Sequence, residues 1–565
     1  MWGALLQRSR AGVRSLDARP QARDDPAMEL DFASAWEAIS DEIPESDALI
    51  SGEIRRSWGA YEDRAARISA ALLAADLPVG ANVGLALYNG PEYSEAQFAA
   101  FKQRVTPFNV NFRYAAKELL SLLEDADAAA LFFDSTLVEA IDEIRGNLPK
   151  LRLLVQVGGA TIPDWAESYE ALIGRHAPAP RIKRSPNDLW MLFTGGTTGN
   201  PKGVMWPHAS MIQTMKATYA GLKQSVPRNL AELLESVRQI AASGRVTRQL
   251  AAAPLMHGTS GIAALTTHLT GGAIITLEER SFSGDALFSS VERYGATHLT
   301  IVGDAFSRPM LEALESARDR GEPYDLSSIF LVLSSGVMWS APIKQALLSF
   351  NPRMRLMDSL GSSEGVGFAA KLESDPNEAT TARFNLGEFT KVIDEDGKEV
   401  APGSGERGRL ALGGPLPIGY YKDPEKSQET WPTIDGRRYS IPGDFATVEA
   451  DGTITLLGRG SACINSGGEK IYPEEVEEAL KLHEAVSDCN VVGVADKRWG
   501  QAITAVVQLA DLGVEDATLI QSVKENLAGY KAPKHIVRVD RLERQANGKS
   551  DYRWAARIAE EALGS

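Results

Sequence analysis

Thr194-Gly195-Gly196-Thr197-Thr198-Gly199-Asn200-Pro201-Lys202-Gly203 is the stretch on which the reading of this chain turns. It packs four glycines and three threonines into ten residues and runs into a lysine. Residues 189–193 before it form a short apolar run that reads as a buried strand. Glycines let backbone N–H groups close around an anion. Threonine hydroxyls and a lysine add donors suited to a polyphosphate. A bare Gly/Thr run reads equally well as a surface loop. The strand before it and the Pro-Lys-Gly ending favour the phosphate reading. A Walker A loop is excluded, because Pro201 rather than glycine precedes Lys202. Gly548-Lys549-Ser550 has that tripeptide, but Glu543 stands where the first glycine should be. Gly403-Ser404-Gly405-Glu406-Arg407-Gly408 satisfies GxGxxG, yet a strand follows it, so a turn is the better reading.

Around this loop, from about 186 to 360, strand-like and helix-like segments alternate. Strands are expected at 298–302, 329–333 and from 354, with helical patterns at 306–320 and 342–348. Such alternation predicts an α/β layered domain with mainly parallel strands. From about 385 short alternating strands appear at 408–412, 444–448 and 453–457, broken by Gly, Pro and Asp451-Gly452. They read as a β-rich subdomain. Beyond Gly458-Arg459-Gly460 a helix is expected at 474–482. Strands at 489–494 and 503–509, a helix at 519–527 and a strand at 536–539 come next, which makes a compact α+β module. The expected organisation is therefore an N-terminal domain over 28–458 and a C-terminal domain over 459–565. Residues 1–27 carry Arg8, Arg10, Arg14, Arg19 and Arg23 with no apolar core of a secretory signal. An organelle presequence is one reading, weakened by Asp17, Asp24 and Asp25. A disordered extension, with folding from near Met28, is favoured.

The chain has 565 residues, too many for one compact core, and an ordinary globular composition. Its 59 basic and 75 acidic residues give a net charge of −16, which argues against nucleic acid as the main partner. Cys463 and Cys489 are too few for a disulfide scaffold or a CxxC metal site and fit a reducing compartment. No apolar run reaches the ~18 residues of a transmembrane helix.

The 194–203 loop resembles the phosphate-binding signature of the adenylate-forming enzymes, which include acyl-CoA synthetases, peptide-synthetase adenylation domains and beetle luciferases. The resemblance runs in order from about residue 50 to 555. It implies a large domain that binds ATP and an acid, and a small mobile domain that rotates between two half-reactions. Carboxylate and ATP give an acyl-adenylate and pyrophosphate, and a thiol then takes the acyl group. On this resemblance Thr194, Gly195, Gly196, Thr197, Thr198, Gly199 and Lys202 contact phosphates. Asp358-Ser359-Leu360-Gly361-Ser362-Ser363-Glu364 corresponds to the segment that usually reads Tyr-Gly-x-Thr-Glu. Glu364 then falls on the Mg²⁺-associated glutamate, with Thr198 as the second metal contact, and carboxylate oxygens suit that ion. Leu360 replaces the usual aromatic beside adenine.

The same resemblance places Ser335-Gly336 between adenine and the acyl pocket, and Asp444 and Arg459 at the ribose. His257 falls at the mouth of the acid pocket, where it shapes the site rather than acting as a base, because a carboxylate needs no deprotonation near neutral pH. Lys549 falls on the near-C-terminal lysine that stabilises charge during adenylation. Ser466, Gly467 and Gly468 fall on the segment lining the pantetheine tunnel, and Ser461 on the hinge. The implied cofactors are ATP, Mg²⁺ and CoA, and the implied partner is a small-molecule carboxylic acid.

Residues 109–114, 194–206, 358–364, 418–423 and 459–477 resemble acyl-CoA synthetases of bulky alkanoates, including sterol side-chain carboxylates in bacterial catabolism. Branched, aryl-substituted and medium-chain fatty acids remain competitors. Transfer to a carrier-protein thiol is the alternative to CoA. Acidic charge and lack of targeting signals point to a soluble cytoplasmic enzyme, and a homo-oligomer is compatible with the sequence.

Overall fold

The computed structural model describes residues 28–195, 201–336, 339, 341–380, 383–459, 464–471, 473–481, 483, 485–510, 513–543 and 552–564. The N-terminal extension, Cys463 and the proposed hinge at Ser461 lie outside the described residues.

Two large sheets form the big domain. In the eight-stranded sheet, the hairpin Leu189–Gly195 and Pro201–Pro207 lies beside a parallel run through Thr106–Asn109, Asn82–Ala86, Ala128–Asp134 and Leu153–Val157. Ala128–Asp134 is buried at every position, as a central parallel strand covered on both faces must be. In the thirteen-stranded sheet, Asp47–Ser51, Ala273–Thr276, Arg248–Ala251, His298–Ile301, Leu331–Ser335 and Arg355–Ser362 run parallel. The α/β expectation therefore holds.

The β-rich stretch after 383 is not a separate sheet. Gly365–Glu373 turns back antiparallel on Arg355–Ser362, and Arg383–Leu386, Thr453–Arg459, Asp444–Val448, Arg407–Leu412 and Thr390–Ile393 continue the same ladder. A reversal of strand direction at one edge lets an antiparallel meander grow from a parallel core without a new layer.

The small domain has its own five-stranded sheet, built on the long pair Val486–Asp496 and Gly500–Leu509. The helices Pro473–Lys481, Asp516–Asn526 and Tyr552–Leu563 accompany it. Its apolar clusters, around Ile464, Val476, Val491 and Ile503 and around Val492, Val506 and Trp554, do not merge with those of the large domain among the described residues. In the large domain Trp36, Trp58 and Tyr61 ring a buried histidine, His268, at centroid distances of 5.2, 5.1 and 5.2 Å. Burial favours the neutral imidazole, so the pKa of His268 falls to about 3, and that of the buried His208 also to about 3. No helix among the described residues is long and apolar enough to cross a membrane.

Candidate active site

Four parallel strands, Arg248–Ala251, His298–Ile301, Leu331–Ser335 and Arg355–Ser362, end on the same edge of the large sheet. In open parallel sheets ligands bind beyond such carboxyl ends. Asn89 organises the segment that leaves the first of these strands. Its Nδ2 donates to the carbonyls of Ala251 and Ala253 at 3.0 and 3.1 Å, and its Oδ1 accepts from Leu255 N at 2.7 Å. His257 stands just ahead of the helix Gly258–Leu269. Beyond the second strand, Gly303 N donates to Ser334 Oγ at 2.9 Å. Ser335 lies in register beside Ser359, so the Ser335-Gly336 turn and the 359–364 stretch are neighbours.

Ser363 and Glu364 make the tight reversal between Arg355–Ser362 and Gly365–Glu373. Their backbone is bolted by three donors. Trp206 Nε1 donates to the Ser363 carbonyl at 2.8 Å, while Trp431 Nε1 and Ser440 Oγ donate to the Glu364 carbonyl at 3.0 and 2.7 Å. The Glu364 carboxylate accepts from the Tyr420 hydroxyl at 2.9 Å, and the Tyr420 ring lies 4.7 Å from that of Trp431. Each such bond adds only ~1 kcal/mol net, but together they tie the Ser363–Glu364 reversal to the strands and loops around it. Ser362 Oγ is buried and finds no hydrogen-bond partner among the described residues. A bound oxygen-rich ligand would satisfy it, so this hydroxyl and the Glu364 carboxylate suit a nucleotide phosphate and a magnesium ion.

Thr194 and Gly195 end one arm of the Gly/Thr hairpin, in register with Lys202 and Pro201 on the other. Gly196, Thr197, Thr198 and Gly199 lie outside the described residues. Lys202 Nζ is paired with the Asp423 carboxylate and lies 5.7 Å from the Tyr420 ring centroid. A hydrogen bond from Lys202 holds the Asp423 carboxyl below its ordinary range. Gly203 serves packing, since a Cβ there would come within 2.7 Å of Met191 Sδ.

Asp358, which opens the segment matched to Tyr-Gly-x-Thr-Glu, turns its carboxylate to a buried lysine. Its carboxylate is 3.2 Å from Lys344 Nζ, which lies 3.0 Å from Glu373, all three being buried. The side chain thus anchors the strand from beneath, while Ser359, Leu360, Gly361 and Ser363 stay half-buried along it.

Asp444, half-buried, opens its strand directly opposite Arg459 in the antiparallel register. In the small domain, Ile464–Ser466 and Glu469–Ile471 form a hairpin closed by Gly467 and Gly468, with φ of 61° and 85°. Two consecutive positive φ values are those of a type I′ turn, which selects glycine. Its tip enters the cleft. A Cβ on Gly468 would lie 3.3 Å from Val302 of the large domain, and one on Gly467 3.0 Å from the Trp499 ring. Glu469 Oε1 then accepts from Arg113 Nη1 at 2.9 Å and lies 3.4 Å from His257 Nε2. Burial pushes the Glu469 carboxyl up, but His257, Arg113 and Lys531 outweigh it and hold it below the ordinary range. Lys549 lies outside the described residues. Trp431 and Ser440 were not picked out in the sequence, and Trp206 and Tyr420 entered only as members of the matched stretches 194–206 and 418–423, with no support role given.

A fold with strand ends, a Gly/Thr hairpin and a second domain's turn meeting in one cleft is that of the AMP-binding enzymes, and the chain belongs to that family. The family's signature matches residues 36–421, and that of the AMP-binding enzyme C-terminal domain matches residues 475–549. A medium/long-chain-fatty-acid–CoA/3-oxocholest-4-en-26-oate–CoA ligase of Mycolicibacterium smegmatis is 38% identical over 94% of this chain and 97% of its own length. The 3-oxocholest-4-en-26-oate–CoA ligase of Rhodococcus rhodochrous is also 38% identical, over 94% of this chain and 96% of its own. The amide bond synthetase McbA of Marinactinospora thermotolerans shares the fold, with a TM-score of 0.76 at 22% identity over 94% of this chain and 99% of that one.

Proposed function

We infer that the protein is an ATP-dependent, AMP-forming acyl-CoA ligase for hydrophobic carboxylic acids. The observation that carries this reading is the small domain's Gly467-Gly468 turn seated against Val302, beside the strand ends where acid and nucleotide would meet. Two glycines leave room there for a narrow thiol arm. In the first half-reaction an acid oxygen attacks the α-phosphorus of ATP and pyrophosphate leaves. In the second, the CoA sulfur attacks the acyl carbonyl and AMP leaves. Relatives matched over nearly their whole length are CoA ligases, which favours CoA over a carrier-protein thiol.

The residue assignments rest on this reading. Thr194, Gly195, Gly196, Thr197, Thr198, Gly199 and Lys202 hold the phosphates, with Lys202 exchanging its Asp423 partner for them. Glu364 and Thr198 hold Mg²⁺, which when bound offsets phosphate charge. Asp444 accepts from the ribose hydroxyls, with Arg459 beside it. Ser335, Gly336 and 358–363 border adenine and the acyl group, and His257 shapes the pocket mouth. Lys549 stabilises charge in adenylation, and Ser466, Gly467 and Gly468 border the thiol path. The two working units divide at 458/459. Within the hydrophobic acids, sterol side-chain carboxylates and medium- to long-chain fatty acids are the proposed substrates, because the relatives named for them align end to end.

One incubation tests the reading. Purified protein, Mg-ATP and CoA are mixed with linear C4–C18 acids, aryl-propionates, bile acids and cholestenoates, and products are read by mass spectrometry. CoA thioesters of the cholestenoate or longer fatty acids are expected. Acyl-adenylates without thioesters would move the assignment to another acceptor, and neither product would overturn it.

A further inference from the structure

The apolar clusters of the two domains stay separate among the described residues, and polar side-chain contacts cross between them. Several of those contacts leave from one short stretch of the large domain, residues 111–118, between the strand Thr106–Asn109 and the start of the helix Ala116–Asp125. Asn111 Nδ2 donates to the Tyr530 hydroxyl at 2.9 Å, and Arg113 Nη1 to Glu469 at 2.9 Å. Glu118 Oε1 accepts from Lys531 Nζ at 3.0 Å. The side chains of Lys531 and Glu118 are only 8% and 10% exposed, so this ion pair is largely shielded from water. A shielded charge whose partner moves away must be rehydrated or repaired elsewhere, so such a pair discriminates between domain arrangements more than a surface pair does.

We propose that residues 111–118 form a latch that selects the arrangement in which the Gly467-Gly468 turn occupies the cleft, with Glu118–Lys531 as its main positioning pair. The functional consequence rests on the two-step reading above. The latch favours the thiol-transfer arrangement and contributes nothing to adenylation, in which it opens. Contacts of this polar kind let the docking reverse, as a domain that must leave once per turnover requires.

The test compares wild type with Lys531→Met and Lys531→Arg in the full chain, after Cys463→Ser. Spin labels at the exposed Arg145 and Glu561 report the inter-domain distance by pulsed electron resonance. Lys531→Met should shift population away from the distance found in wild type, and Lys531→Arg should keep it. In rate assays Lys531→Met should slow thioester formation from supplied acyl-adenylate by about tenfold, with ATP–pyrophosphate exchange within about twofold of wild type. A charge swap, Lys531→Glu with Glu118→Lys, should recover part of the lost population relative to Lys531→Glu alone. An unchanged label distribution in Lys531→Met would overturn the latch, as would equal loss of both half-reactions with no rescue by arginine. Absence of thioester in wild type would instead count against the ligase reading, and the label distances would still judge the latch.

Discussion

The loop bearing Glu364 and the turn at Gly467-Gly468 reach the same cleft, but they are held in opposite ways. The first is fixed from within its own domain by two buried indoles and a buried serine on consecutive carbonyls. The second is fixed at its base by Gly467 N donating to the Trp499 carbonyl at 2.9 Å, while its place in the cleft depends on polar contacts across the domain boundary. One part of the site is therefore built when the large domain folds. The other exists only while the domains are docked. That division suits a two-step reaction, in which the nucleotide chemistry needs a permanent cradle and the thiol needs a passing one.

Substitutions should separate the two parts. The largest effect is expected at Lys549, assigned to charge stabilisation in the first step. Lys549→Ala should cut ATP–pyrophosphate exchange by about a hundredfold or more, while transfer from supplied acyl-adenylate to CoA is largely spared. Equal loss of both steps would remove the assignment. Next is the turn. Gly467→Leu puts a side chain at φ 61° and against the Trp499 ring. Thioester formation should fall by at least about thirtyfold with pyrophosphate release retained, as left-handed strain adds to obstruction. Both steps intact would refute a thiol path there. Trp431→Phe is milder, since it keeps a ring against Tyr420 but removes the indole donor to the Glu364 carbonyl. Exchange should fall roughly five- to tenfold, the value of one buried hydrogen bond, and transfer from supplied acyl-adenylate should be unchanged. A loss confined to the second step would break the comparison.

The smallest effect concerns stability. His208 and His268 are both in the large domain, and burial lowers each pKa to about 3. The unfolded chain takes up their protons from near pH 6.5, while the folded chain keeps them neutral. Their stabilisation is thus present above about 6.5 and is lost as the pH falls toward 3. Between pH 7 and 6 each should cost about 0.7 kcal/mol of unfolding free energy. Urea titrations followed by tryptophan fluorescence at the two pH values should show the large-domain midpoint falling. A midpoint that rises would contradict the sign.

Much of this was legible in the chain, and the reasons differ by region. The strands expected at 298–302 and 329–333 appear at His298–Ile301 and Leu331–Ser335, and the one before the Gly/Thr loop at Leu189–Gly195, because period and length act locally; the return strand Pro201–Pro207 was not read. Gly467 and Gly468 were placed through the family resemblance, and the turn they make, with both φ values positive, came from the structure. The supports of Glu364 were not legible, because Tyr420, Trp431 and Ser440 lie 56, 67 and 76 residues away and leave no local pattern. Asp358 shows the same limit from the other side. It adjoins 359–364 in sequence, but its carboxylate turns toward Lys344, 14 residues away. The meander after 383 reads as a unit of its own because sequence shows strand density, not which existing edge the strands extend.

The bolting of Glu364 also bears on how the protein could be cut. The family's main signature stops at residue 421, short of Trp431 and Ser440. A fragment trimmed there would still hold the Gly/Thr hairpin, Glu364 and Tyr420, and would pass any inspection by motif. It would nonetheless lack two of the three donors that fix the Glu364 loop, together with Asp444 and the strands that complete the sheet's edge. A fragment meant to keep the Glu364 loop fixed must therefore run at least to the end of Thr453–Arg459. Swapping parts between relatives within 422–459 would alter the support of the Glu364 loop even with Glu364 itself left in place.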